Sequence, residues 1–238
     1  HLLVQAISVC IAFANFCLAG IVLTARRKRP AQWWMAIIAT VAGLWGVVVN
    51  LFMLSSDAFV ASVIVHLYYL VAAVIPLGLV GLGLCFPKER QWGMLTYACL
   101  GVGFLVAAVI SLVPSGVVRD VIISDTGNTV ELNFQYYGVY VLYFLSYVGV
   151  AGYLLMTSYF DVKRQHQLQL ASQMRSMIAG MVIALVFGMY FNLILPLIGD
   201  YSYVWAGPPF TILFVIALFY AIIKQRLFDL RAALARST

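Results

Sequence analysis

Four tyrosines, Tyr136, Tyr140, Tyr143 and Tyr147, recur at spacings of 4, 3 and 4 and so form one stripe along a helix. A phenol that faces lipid tails finds no hydrogen-bond partner, so the stripe is expected to turn inward. His66 and Tyr69 share a face of another apolar run, Asn50 and Asn192 lie inside two more, and Trp205 caps the last. All of these groups give or take hydrogen bonds without charge. The chemistry open to them is recognition of a small apolar or amphiphilic ligand with one polar end. Each also has a plainer role: an interfacial aromatic belt for Tyr136 and Trp205, and interhelical hydrogen bonding for His66, Asn50 and Asn192.

Catalytic constellations are missing from the chain. There is no H-E-x-x-H, no nucleophile elbow and no pair of carboxylates within an apolar run. Cys10, Cys17, Cys85 and Cys99 lie in or beside apolar runs without metal-ligand spacing, which assigns them to packing. A retinal Schiff base needs a lysine in the middle of the last run, and Lys28, Lys88, Lys163 and Lys224 all sit at one edge. Neither a cofactor nor a metal is expected.

The elements that position these residues follow from composition. Of 238 residues 64% are hydrophobic and 9% charged, against about 25% charged in soluble domains. The chain is read as an all-α membrane protein, a bundle of seven transmembrane helices. The runs are His1 to Thr24, Ala31 to Leu54, Ala58 to Phe86, Trp92 to Val113, Tyr136 to Phe160, Met177 to Ile198, and one starting at Tyr203. Each is long enough to cross a hydrocarbon core of roughly 30 Å. The third is longer than needed, so a bend is expected at Pro76, which GLVGLG follows. Residues 114–135 break the apolar pattern: VVRDVII and TVELNF flank DTGN, a signal for a small β-hairpin. The polar stretch after Phe160 holds good helix formers and is expected to prolong the helices beyond the membrane.

Charge then orients the bundle. The connectors on one side carry 13 of the 14 basic residues, and Arg119 alone lies opposite. By the positive-inside rule the N-terminus and the hairpin are outside and the C-terminus is cytoplasmic. The net charge of +6 therefore belongs to topology, and no nucleic-acid partner is expected.

The last apolar run passes straight into KQRLFDLRAALARST, in which Ile223, Leu227, Leu230 and Leu234 continue a 4-3-4 pattern suited to a partner helix. An amphipathic juxtamembrane end with snorkelling Lys224, Arg226 and Arg231 would look similar. Domain bounds are set at 1–223 for the seven-span unit and 224–238 for a cytoplasmic helical linker. Since the chain starts without Met and ends within a helical pattern, its ends are not expected to be natural termini.

With its exit sequence AIIKQRLFDLR, its β-prone fourth connector and its outside N-terminus, the chain resembles the N-terminal seven-transmembrane sensor region of bacterial histidine kinases. That resemblance implies a multi-pass protein of the bacterial inner membrane that senses a molecule outside or within the bilayer. It further implies a homodimer, joined through the cytoplasmic helix, that passes its state to a kinase. The kinase core itself is not in this chain, for His166 is followed by Gln167 where a phosphoacceptor histidine precedes an acidic residue. A small secondary transporter or channel is the alternative. It is disfavoured because no Asp, Glu, Lys or Arg falls within a predicted run and no internal repeat is visible, and a flux assay in liposomes separates the two.

Overall fold

A computed structural model describes residues 2–24, 30–124, 128–201, 203–217 and 220, with the backbone alone for residues 2–4 and 205. Six described helices are long and apolar enough to span a membrane, and a shorter apolar helix, Gly207–Ala217, opens the seventh run. They are α1 (Leu2–Leu23), α2 (Pro30–Leu54), α3 (Ala58–Cys85), α4 (Met94–Leu112), α5 (Phe134–Arg164) and α6 (Leu168–Met189). The α6 helix continues through a π-helical turn, Tyr190–Ile194, into Leu195–Leu197. The runs read from hydropathy and these helices agree to within a few residues, except that α5 and α6 extend through the polar stretch between them. At 31 residues α5 is longer than a membrane requires, which is how good helix formers behave next to an apolar run.

Helix α3 is the centre of the bundle, packed on α2, α4 and α5. Its glycines make this possible. A Cβ on Gly78 would stand 2.8 Å from Ile38 Cγ1, one on Gly83 2.9 Å from Leu154 Cβ, and one on Gly81 inside the Trp34 ring. Small residues let helices approach until dispersion contacts replace the hydrophobic effect that lipid cannot supply. Pro76 lies inside α3, where its missing N–H and bulky ring disturb the carbonyl turn before it. Tyr143 on α5 donates its hydroxyl to the Ala73 carbonyl in that turn at 2.7 Å.

At the end of the bundle shared by the C-termini of α2 and α4, β1 (Val118–Ile122) pairs antiparallel with β2 (Thr129–Leu132), with a bulge between Val118 and Asp120. Asn128 is 4% exposed and its amide donates to the Phe52 and Ser55 carbonyls, both at 2.6 Å, which fastens the hairpin over the end of α2. At the opposite end Arg90 reaches Thr157 and Ser158 on α5 at 3.2 and 3.0 Å and ties the connector after α3 to that helix.

The last helix sits among α1, α2 and α6. Asn15 donates to Thr211 at 3.4 Å, Pro208 faces Gly46, and a Cβ on Gly180 would meet Ala217 Cβ at 2.6 Å. Pro208 and Pro209 fall in its first turn, where a helix has no use for the missing N–H groups. The seam residues Ile223, Leu227, Leu230 and Leu234, and with them the whole 224–238 linker, lie outside the described residues.

Candidate functional site

A cavity lies inside the bundle, between α2, α3, α5, α6 and the last helix. About 60 Å³ is open there to the centres of water-sized molecules, which means on the order of 200 Å³ between the walls and room for on the order of ten heavy atoms. Ile38, Ile75, Leu79, Phe144, Met181 and Phe214 supply apolar wall. Trp45, Tyr68, Tyr69, Tyr140, Asn192 and Thr211 supply the polar atoms nearby. None of the lining residues is Asp, Glu, Lys, Arg or His.

Asn192 holds the polar side of this wall together. It sits in the π-helical turn of α6, four residues before Pro196, whose missing N–H leaves one carbonyl of that turn without its helical donor. Tyr137 on α5 brings a donor to the turn, its hydroxyl 2.8 Å from the Leu193 carbonyl and 3.4 Å from that of Asn192. The Asn192 side chain accepts from the Tyr68 hydroxyl at 2.8 Å and donates to the Gly188 carbonyl at 3.3 Å. Gly207, the first residue of the last helix, lies directly against this amide, so close that a Cβ would overlap it. The π turn, α3 and the last helix thus meet at one side chain.

Of the residues singled out in the sequence, Tyr69, Tyr140 and Asn192 line the cavity. Tyr140 gives its hydroxyl to the Tyr69 carbonyl at 2.8 Å, and the two rings meet edge to face with centroids 5.4 Å apart. Tyr143 is buried one turn further along, outside the cavity lining, with its hydroxyl on Ala73. His66 and Asn50 are half-buried and bond carbonyls of their own helices, Nδ1 of His66 near Ser62 O at 2.6 Å and the Asn50 amide to Gly46 O at 2.7 Å. Neither lines the cavity. The backbone of Trp205 lies in the 3-10 turn Val204–Ala206, and its side chain is outside the described atoms. In the tyrosine stripe the inward member at the head of α5 is Tyr137, fully buried, while Tyr136 is 46% exposed. Tyr147 also points in and donates to the Leu100 carbonyl of α4.

Four polar residues in or beside the site were not singled out: Trp45, Tyr68, Tyr137 and Thr211. Trp45 carried a readable signal, because it falls well inside α2, away from the interfaces that tryptophan prefers.

A second, smaller cavity, about 10 Å³ on the same measure, lies under the hairpin among Phe52, Asn128, Val130 and Tyr201. Tyr68 and Tyr69 line both spaces, so they form the partition between the hairpin side and the main cavity.

The family model described as the N-terminal 7TM region of histidine kinase matches residues 7–231. A search of curated proteins found no match.

Proposed function

From the premise that this chain belongs to the family of N-terminal 7TM regions of histidine kinases, we propose that its central cavity binds a small, largely apolar ligand and that the last helix carries the resulting change to a cytoplasmic kinase. The protein is a multi-pass membrane protein in contact with the bilayer, a transmembrane sensor module. The bacterial inner membrane suits both the family and the helices.

One observation carries the ligand reading. The cavity is bounded by the last helix as well as by α2, α3, α5 and α6, so its contents touch the segment that leads toward Thr238. A ligand shifts a two-state equilibrium only by its difference in affinity for the two states, and moving 1:99 to 99:1 takes about 5.5 kcal/mol. At about 25 cal/mol per Å² this needs on the order of 200 Å² of state-dependent apolar contact, within reach of a molecule of on the order of ten heavy atoms. In this reading residues 1–223 form the sensor and 224–238 a helical linker whose Ile223, Leu227, Leu230 and Leu234 seam pairs two subunits in a homodimer.

Two measurements test the reading. Asn192 lines the cavity and Asn50 does not, so in the intact receptor Asn192→Ala should shift the stimulus dose response by about tenfold or more, the scale of a lost buried hydrogen bond. Asn50→Ala should leave it within about twofold. Equal effects of the two substitutions would remove the site from the account. Orientation follows from the 13-to-1 charge split: cysteines placed at Asp125 and Gln167 should react with an impermeant label from opposite faces, Asp125 from outside. Labelling from the same face contradicts it.

A further inference from the structure

The cavity has a hydrogen-bond donor with nothing to bond. Trp45 lines it, is 6% exposed, and its Nε1–H meets no acceptor in the protein. An indole N–H can only donate, and inside a membrane bundle no solvent stands by to satisfy it from the lipid side. The neighbouring hydroxyls give their hydrogens to protein oxygens, Tyr68 to Asn192 Oδ1 at 2.8 Å, Tyr140 to Tyr69 O at 2.8 Å and Thr211 to Pro208 O at 2.6 Å, and none of their own oxygens is placed to take the indole hydrogen. The Tyr68 ring lies 6.2 Å from that of Trp45, centroid to centroid, and tilted by 34°.

We infer that the ligand of this cavity is an uncharged medium-chain aliphatic carbonyl compound, a ketone or ester, whose oxygen accepts the Trp45 indole hydrogen while its chain lies among Ile38, Ile75, Leu79 and Met181. The inference rests on the ligand-site reading above and deepens it by naming a chemical class. Charge is excluded because no Asp, Glu, Lys, Arg or His lines the space to balance it, and burying an unpaired charge is prohibitive. An acceptor is favoured because Trp45 is the one polar side chain lining the cavity, among the described residues, that lacks a partner, and it can only donate. Chain length follows from the space, which holds on the order of ten heavy atoms.

The test compares 2-decanone with decane, at equal mole fraction in the lipid, on the protein in nanodiscs. The readout is the midpoint of thermal unfolding as a function of concentration. In the wild type 2-decanone should bind about fivefold to tenfold more tightly than decane, the worth of one hydrogen bond. Trp45→Phe keeps an aromatic wall and removes the donor, so the preference should fall to about one. The wild type offers a second readout that needs no substitution: the Trp45 indole 15N–1H resonance should move downfield with 2-decanone and stay in place with decane. Equal binding of ketone and alkane with an unmoved resonance would overturn the carbonyl assignment while leaving an apolar ligand site standing. Binding of neither compound would overturn both.

Discussion

Alanine at Gly207 is expected to be among the most damaging single-methyl changes in this bundle. The added carbon would fall on the Asn192 side-chain amide and within 3.2 Å of the Trp45 ring. That amide cannot step aside freely, since Tyr68 holds its oxygen and the Gly188 carbonyl takes its N–H. Overpacking of this kind costs about 1–3 kcal/mol, and losing the buried Tyr68–Asn192 bond adds about 1–3 kcal/mol. Equilibrium unfolding in mixed micelles measures the sum. The mechanism makes a sharper demand on the double variant. With Asn192→Ala already present the obstacle is gone, so Gly207→Ala should cost less than half of what it costs alone. Simple additivity would show that the two residues do not press on each other.

The second large effect comes from filling the cavity. Ala184 lines it from α6 and is 9% exposed, so Ala184→Phe places a ring in the space that the ligand is proposed to occupy. The intact receptor should lose its response by about a hundredfold or more, since ring and ligand exclude each other and about 2.7 kcal/mol of apolar burial is forfeited at that ratio. Its output should become fixed at one level, whichever state accommodates the ring. Ala42→Leu, a smaller intrusion from α2, should weaken the response in the same direction if Ala184→Phe proves too large to fold. A normal dose response in either well-folded variant would mean that the stimulus binds elsewhere.

Much of this architecture is legible in the amino-acid order because lipid leaves few choices. Backbone groups in hydrocarbon must bond within their own helix, so apolar length fixes the spans, and DTGN between two β-prone runs fixes the hairpin. Pro76 and the glycines after it mark α3 as the helix that others approach closely. The site is less legible. A 4-3-4 spacing names a stripe but not its phase at the helix end, and Tyr136 and Tyr137 differ by about 100° around the axis. Burial at Tyr137, Tyr140, Tyr147, Ala151, Leu154 and Ser158 settles that phase. Nδ1 of His66 and the amide of Asn50 bond carbonyls four residues back, an option that no spacing rule distinguishes from a bond across helices. The π turn at Tyr190–Ile194 re-aims Asn192, and its cause lies partly on other helices, in Tyr68 and Tyr137. The position of Trp45 well inside α2 marks it in the sequence, but its unpartnered nitrogen beside a cavity does not show there.

The central claim is that occupancy of the cavity moves the last helix against α6. The distance between spin labels at Leu168, at the start of α6, and at Tyr220, on the last helix, reads that motion directly when the four cysteines are replaced and the protein is held in nanodiscs. The account predicts that saturating 2-decanone shifts the distance distribution of the otherwise wild-type protein and leaves that of Ala184→Phe unchanged. An identical distribution with and without 2-decanone, while the Trp45 indole resonance reports that the cavity is full, would contradict it.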